Sequence, residues 1–204
     1  MTSRITRLAA VLLALATALL LTSCTSTASD DHTNHESSDE PAISGEPAGY
    51  NADDIAFATN MIPHHEQAVE LSAMVPDRSV NPELKALAEQ ISAAQEPEIR
   101  TMKVLLVQWN ENPDARAGHG GEEGHGGAMQ GMVDDATMAK LKSLSGAEFD
   151  TLWLESMISH HQGAIEMARA ELANGANVDA KRLAQTMVDT QQAEIDQMNQ
   201  MLRG

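Results

Sequence analysis

The sequence predicts an all-α protein whose main domain is an antiparallel four-helix bundle. No segment alternates apolar and polar residues as a half-buried strand does, and aromatic residues make up only 2% of the chain. Near the C-terminus apolar residues recur at helical spacing, as Leu183, Met187, Ile195, Met198 and Leu202. The chain also contains an internal repeat of two helical hairpins, and two such hairpins most economically form a bundle with a pseudo-twofold axis.

The repeat is visible when the chain is shifted by 96 residues, which lays Asp54 to Leu106 on the second half without a gap. "MIPHH" from Met61 then falls on "MISHH" from Met157. The identical pairs include Asp54/Asp150, Met61/Met157, Ile62/Ile158, His64/His160, His65/His161, Glu70/Glu166, Asn81/Asn177, Gln95/Gln191, Glu98/Glu194, Ile99/Ile195 and Met102/Met198. An ungapped register of this length predicts repeats over about 54–107 and 150–203.

The N-terminus resembles a lipoprotein signal peptide over residues 1–23. Arg4 and Arg7 precede an Ala/Leu/Val run from Leu8 to Leu21, which is too short for a stable membrane span. The run ends in "LTSC", so we expect cleavage before Cys24 and lipidation of this only cysteine. Residues 24–49 are polar and predict a disordered tether, which leaves 50–204 as the helical domain.

The first helix of each half begins at a recognisable cap. Asn51 with Asp54, and Ser145 with Glu148, have the spacing of an N-cap residue and the third helical residue, and the second pair has the composition of a capping box. These positions predict where both helices start.

The second helix of each half begins at Asn81 and at its equivalent, Asn177. Pro63 and Pro97 fall inside predicted helices, but their equivalents are Ser159 and Ala193. The repeat therefore predicts that the helices continue past both prolines with a kink. Gly175 follows "ARAELAN" and predicts a helix end.

A Gly-rich connector over about 111–133 separates the halves, and residues 134–144 predict a short extra helix after it. The connector contains His119, His125, Met129 and Met132. They fit either an auxiliary, low-affinity metal-capture segment or a solvated linker, and we hold both interpretations open.

Charge and composition narrow the function. The formal net charge is −17, and it becomes −19 when Arg4 and Arg7 are removed with the signal peptide. So acidic a chain is not expected to bind nucleic acid, whereas cations are natural partners. No nucleophile elbow, phosphate-binding loop or dinucleotide fingerprint is present, so nothing in the sequence supports covalent catalysis. Whether the protein is an enzyme stays open, and a non-catalytic role is favoured.

The repeated polar residues predict a buried metal site. On a helix, Met61, His64 and His65 share one face. Gln95, Glu98, Ile99 and Met102 share a face of the partner helix, as do their equivalents Gln191, Glu194, Ile195 and Met198. Buried polar groups need hydrogen-bond partners or a metal. The candidate ligands are His64, His65, His160, His161, Met61, Met157, Glu98, Glu194, Met102 and Met198. Glu70 and Glu166 fall on the far side of their helices and are expected to be structural.

Ligand chemistry favours copper over zinc or iron, because thioether sulfur suits Cu(I) and imidazole suits copper generally. The chain has 12 methionines, which a zinc site would not explain. Two alternatives stay open: a di-metal redox enzyme, which has too few inward carboxylates here, and a non-catalytic interaction module whose His-Glu contacts only fix the bundle.

"NMIPHHEQAVELSAMV" and "ESMISHHQGAIEMARAEL", each followed by a helix with Q-x-x-E-I-x-x-M, resemble the bacterial family called domain of unknown function 305. The resemblance covers about Asp53 to Leu202. It implies an exported, ferritin-like four-helix bundle with a role in copper binding or resistance. Gln162 and Gly163, which replace Glu66 and Gln67 of the first half, indicate that the halves are not equivalent.

The sequence thus predicts a lipid-anchored extracytoplasmic protein that binds copper for buffering, resistance or delivery. Metal ions and the membrane, through the N-terminal lipid, are the expected partners. A protein partner is not identified by the sequence.

Overall fold

A computed structural model describes residues 49–113 and 130–204. The predicted signal peptide, Cys24, nearly all of the tether, His119, His125 and Met129 lie outside these ranges. The helices are α1 (Ala52–Ala73), α2 (Val75–Arg78), α3 (Pro82–Gln108), α4 (Asp135–Ser143), α5 (Gly146–Asn174) and α6 (Val178–Arg203). No strand occurs in the described ranges, so the all-α prediction is confirmed.

Most predicted helix starts are confirmed. Asn51 accepts from the backbone of Asp53 and Asp54, and the Asp54 carboxylate accepts from the Asn51 N–H, which completes a capping box. Asn81 and Asn177 cap α3 and α6.

The capping box predicted at Ser145 is wrong, because the Ser145 side chain makes no capping hydrogen bond. Gly146, the first residue of α5, has φ +61. The backbone therefore enters α5 outside the right-handed region that an ordinary first turn requires.

Both internal prolines are accommodated as predicted, since α1 continues through Pro63 and α3 through Pro97. Helix α4 is the short extra helix predicted after the connector. Among the helices of residues 49–113 and 130–204, none combines the length and apolar character needed to cross a membrane.

The four long helices form a bundle in which α1 and α5 are central. Helix α1 packs on α3, α5 packs on α6, and α1 and α5 pack on each other, while α3 and α6 contact each other little. Trp153 of α5 donates its indole N–H to the Leu71 carbonyl of α1 at 2.9 Å. The imidazole of His160 meets that of His64 further along the same pair, so α1 and α5 run antiparallel.

The core contains two apolar clusters. The first cluster includes Leu71, Leu84, Leu87, Ile91, Phe149, Trp153, Met157, Ile195 and Met198. The second cluster includes Phe57, Met61, Ile62, Met102, Leu106, Trp109, Ala164, Ala168, Ala184 and Met187. Along each of the four long helices, the repeated polar residues lie between the stretches that enter the two clusters. The bundle therefore has a polar layer at mid-height.

Candidate metal-binding site

The polar layer is built from equivalent residues of the two repeats. Its members are His64, His65, Gln95, Glu98, His160, His161, Gln191 and Glu194. The four histidines are essentially inaccessible to solvent. His64 and His160 meet where α1 crosses α5, with ring centroids 3.8 Å apart and planes tilted by 40°. The structure thus brings the two His-His pairs together between α1 and α5.

The second histidine of each pair, His65 or His161, contacts a glutamate on the partner helix of its own hairpin. His65 Nε2 lies 2.8 Å from Glu98 Oε2, and His161 Nε2 lies 2.7 Å from Glu194 Oε2. The two contacts differ in solvent access, because the Glu98 side chain is 13% exposed and that of Glu194 is 1% exposed. Gln90 also donates to Glu194 Oε1 at 3.3 Å.

These contacts determine which ring nitrogens carry protons. A carboxylate only accepts hydrogen bonds, so Nε2 of His65 and of His161 must donate. Nδ1 of each ring is buried and has no hydrogen-bond partner. A metal-ligating histidine has this arrangement, with one N–H donated to an oxygen and the other nitrogen facing the metal.

His64 follows the same pattern with a different acceptor. Its Nε2 lies 3.1 Å from the carbonyl oxygen of Gln130, and its Nδ1 has no partner. Gln130 belongs to the segment Gln130–Val133, which we call the strap. Gln67 of α1 holds the far end of the strap, because its side chain donates to the Val133 carbonyl and accepts from the Val133 N–H, both at 2.8 Å.

No strap carbonyl contacts the His160 ring. The His64 backbone influences this ring weakly, and neither ring nitrogen makes a hydrogen bond of good geometry. The asymmetry agrees with the replacement of Gln67 by Gly163 in the second repeat. The sequence indicated that the halves differ, but no pattern in it predicted a strap across the layer.

Burial keeps the two central histidines neutral. Desolvation, and then the proximity of His65, lower the pKa of His64 to about 3. Desolvation, and then His64 itself, hold the pKa of His160 well below its ordinary value of 6.5. A neutral imidazole retains a lone pair for a metal, so both rings are suitable ligands near neutral pH.

The methionines predicted as ligands are all buried, but the structure divides them between the two sides of the layer. Met61 and Met102 belong to the second cluster, whereas Met157 and Met198 belong to the first. Within residues 49–113 and 130–204, no three His, Cys, Asp or Glu side chains are grouped to hold one ion. Any site in this layer must therefore include other donors, such as thioether sulfur or an amide oxygen.

Gln95 and Gln191 are amide candidates that the sequence analysis placed on the inward faces without assigning them as ligands. Both are buried, and neither side chain has a hydrogen-bond partner. An unpaired buried amide costs about 1–3 kcal/mol, which a ligand in the layer would offset.

Other candidate residues lie outside the layer. Glu70 is exposed and contacts Lys142 at 3.0 Å, and Glu166 is exposed, so both point away from the core as expected. Met132 is half-buried in the strap.

A second polar cluster, missed by the sequence analysis, joins the start of α1 to the α5–α6 turn. The Asp54 carboxylate accepts from the backbone N–H groups of Asn51, Ala176 and Asn177. Burial opposes its ionisation, but these amides hold the pKa of Asp54 below its ordinary 3.8. Burial, and then the proximity of the Asp54 carboxylate, raise the pKa of Glu171 to about 8.

Gly175 explains how Glu171 fits. A Cβ at Gly175 would lie 2.2 Å from Glu171 Oε1, so any other residue here would require the end of the Glu171 side chain to shift. Its φ of −62 shows that the position does not need the left-handed conformation. No local sequence signal pairs residue 54 with residue 171.

Comparison with known proteins identifies relatives of this bundle. Two solved DUF305 proteins each match 74% of this chain. The protein from Streptomyces coelicolor, described as a candidate secreted protein, is 33% identical, with 92% of its own chain covered and a TM-score of 0.66. The protein from Deinococcus radiodurans is 30% identical, with 96% of its own chain covered and a TM-score of 0.64. CopM, solved with Cu(I), is 30% identical over 74% of this chain and 95% of its own, with TM-score 0.62. CopM was also solved with Cu(II) and with Ag.

A curated relative, the uncharacterized protein L153 of Acanthamoeba polyphaga mimivirus, is 37% identical over 54 residues. The match covers 26% of this chain and 36% of L153, so it spans about a third of that relative. The model of the family "Domain of unknown function (DUF305)" matches residues 54–202. The chain therefore belongs to the DUF305 family.

Proposed function

We propose that this protein is an extracytoplasmic copper-binding protein that holds the metal in the polar layer of its bundle. The proposed domain is 50–204, anchored through a lipid on Cys24 after removal of residues 1–23. Its role would be to buffer copper or to hand it on, which involves no chemical turnover.

The observation that carries the proposal is the state of the histidines. His64, His65 and His161 each direct Nε2 at an oxygen acceptor and leave a buried Nδ1 unpaired. Three orphaned nitrogens in one layer are costly unless something binds them. Each ring donates its Nε2–H to an oxygen and leaves Nδ1 available, which is the orientation that metal-ligating histidines usually have.

The choice of copper rests on the sulfur atoms and on relatives. Met61 lies one helical turn before His64 and His65, and Met157 has the same position before His160 and His161. Thioethers are soft ligands that select Cu(I) over zinc. CopM, which shares the fold and about 30% of the sequence, was solved with Cu(I), Cu(II) and Ag, and silver is another soft cation.

The test is a titration of the mature domain with Cu(I) under reducing conditions and with Cu(II) and Zn(II) under oxidising ones. We expect tight Cu(I) binding that is lost when His64, His65, His160 and His161 are replaced by Ala. The control replaces the exposed Gln108, Gln162, Gln185 and Gln192 by Ala, because none of these side chains contacts the layer. Unchanged stoichiometry and affinity in the histidine variant would refute the proposal.

One alternative has an observation in its favour. The His65–Glu98 and His161–Glu194 contacts each join the two helices of a hairpin, so they would stabilise an interaction module without any metal. Ligand linkage separates the two functions, because a metal that binds only the native state raises the melting temperature. At a metal concentration of one hundred times Kd, the free energy of unfolding rises by about 2.7 kcal/mol. No shift with any of the three metals would favour the structural role.

A further inference from the structure

The strap lies directly on α5 at the histidine layer. At one end the Gln130 carbonyl contacts His64 Nε2, and at the other Gln67 makes two hydrogen bonds to the backbone of Val133. Four residues of the connector are thus fixed to α1 by three hydrogen bonds, while their backbone rests on α5.

Two glycines make this contact possible. A Cβ at Gly163 of α5 would lie 1.9 Å from the Gln130 carbonyl oxygen and 2.9 Å from the Gly131 Cα. A Cβ at Gly131 would lie 2.6 Å from the Ser159 carbonyl oxygen. Gly131 also has φ +83, which side chains rarely adopt. The obstructing atoms are backbone, so they cannot rotate away as a side-chain end can.

A glycine in the middle of α5 otherwise weakens the helix, because glycine is a poor helix former compared with alanine. Position 163 corresponds to Gln67 in the first repeat, so the helix itself does not require glycine there. The contact with the strap is the feature of the structure that accounts for it.

The strap also determines the chemistry of one ring. A carbonyl oxygen cannot donate, so its contact with His64 requires the proton on Nε2 and leaves the lone pair on Nδ1. His160 lies against the same ring, but no strap carbonyl contacts either of its nitrogens, and the His64 backbone acts on it only weakly. The two central histidines therefore differ in the ring nitrogen that is available.

We infer that Gly131 and Gly163 are positioning residues, which seat the Gln130 carbonyl on His64 and restrict that histidine to Nδ1 coordination, a restriction that the strap does not place on His160. The two halves of the repeat would then bind metal unequally. This consequence for metal binding rests on the proposed function, but the positioning itself does not.

The experiment compares Gly163→Ala with the control Gln162→Ala, which also introduces alanine but at the neighbouring exposed position of α5. Nitrogen-15 NMR of the imidazoles in metal-free protein reports which ring nitrogen carries the proton. We expect His64 to be protonated at Nε2 in the parent and in Gln162→Ala, and to become a mixture of tautomers in Gly163→Ala. His64 protonated only at Nε2 in Gly163→Ala would overturn the inference.

Thermal unfolding gives a second readout with a definite sign. Without the strap contact, Gly163→Ala would raise the melting temperature, because alanine favours helix. With the contact, we expect a lower melting temperature than in the parent. A higher value would overturn the inference. A second variant, Gln67→Ala, tests the inference if Gly163→Ala fails to fold, because it removes two strap hydrogen bonds without adding an atom. We expect Gln67→Ala to give the same mixture of His64 tautomers. An unchanged His64 tautomer in Gln67→Ala would also overturn the inference.

Copper titration of the same variants then separates the two proposals. Loss of an outer-shell partner typically weakens a metal site about 10- to 100-fold, so we expect a weakening of that order in Gly163→Ala and none in Gln162→Ala. If the parent binds no copper while the tautomer changes as expected, the proposed function fails and the positioning role stands. If the parent binds copper and the variants match it in tautomer and affinity, the positioning role fails alone.

Discussion

The two halves of this molecule carry the same residues at mid-height and different ones around them. Each half has its His-His pair and a glutamate contact across the hairpin. Yet Asp54 accepts three backbone N–H groups, whereas its equivalent, Asp150, has an unpartnered buried oxygen. The Gln130 carbonyl of the strap contacts the His64 ring, whereas no strap carbonyl contacts the His160 ring. The two repeats thus share the polar layer, but they differ at the starts of their first helices and in the strap that covers only one of the central histidines.

This comparison teaches where duplication constrains a bundle. Two histidines of the layer each contact a glutamate across their hairpin, so a change at either partner leaves a buried group unpaired. Residues at the helix ends contact whatever turn lies beside them, and these turns differ between the halves. Equivalent substitutions in the two halves should therefore have unequal effects.

The largest difference is expected at the His-Glu contacts. His161→Ala leaves Glu194 buried without its partner and should lower the free energy of unfolding of the metal-free protein by about 3–5 kcal/mol. His65→Ala should cost less, because Glu98 is 13% exposed and can be hydrated. Urea unfolding of both variants measures the difference, and equal losses would show that solvent access does not separate the halves.

A smaller difference is expected at the helix starts. Asp54→Ala leaves the N–H groups of Ala176 and Asn177 without their acceptor and should cost about 2–3 kcal/mol. Asp150→Ala should change stability by less than about 1 kcal/mol, because one of its oxygens is already unpartnered. Denaturant midpoints of the pair test this order, and a larger loss in Asp150→Ala would reverse it.

Glu171, which has no acidic equivalent in the first half, should give the protein a distinctive pH dependence. Its pKa is raised from 4.5 to about 8, so the folded state favours the protonated carboxyl. This contribution to stability is complete below pH 4.5 and is lost as pH rises towards and through 8. Asp54 acts in the opposite sense but only below pH 3.8, where its lowered pKa begins to matter.

Glu171→Gln keeps a neutral side chain at every pH, so its melting temperature should vary less than that of the parent between pH 5 and 9. Glu166→Gln, at an exposed position of the same helix, serves as the control and should keep the parental profile. Identical profiles for Glu171→Gln and the parent would contradict a raised pKa for Glu171.

The smallest effect is expected at the surface. Lys142 of α4 contacts Glu70 of α1 at 3.0 Å, but both side chains are about half exposed. Lys142→Ala should therefore change stability by less than about 1 kcal/mol, and added salt should remove what difference there is. A loss above 2 kcal/mol in thermal unfolding would mean that α4 depends on this ion pair.

The sequence predicted the features that follow from periodicity and duplication. The helical spacing of "MIPHH" and "MISHH" placed the histidines on inward faces, and the repeat showed that Pro63 and Pro97 need not end their helices. These are local properties, in which a face or a cap depends on residues within one or two turns.

The features that the sequence did not predict all depend on contacts between distant segments. Periodicity identifies a buried face but not its partner, so it grouped all four methionines with the histidines, whereas the structure places Met61 and Met157 in different clusters. The contact of Gln130 with His64 and that of Asp54 with Glu171 join residues 66 and 117 positions apart. Only the Gln67 to Gly163 replacement gave a hint of the first.

The division of the core into two clusters has an optical consequence. The chain has two tryptophans: Trp153 is fully buried in the first cluster, and Trp109, stacked on Tyr50 with centroids 5.3 Å apart, is buried in the second. Each side of the histidine layer thus carries its own intrinsic fluorophore. The fluorescence of single-tryptophan variants would report separately on how each side of the bundle responds when the histidine layer binds a metal.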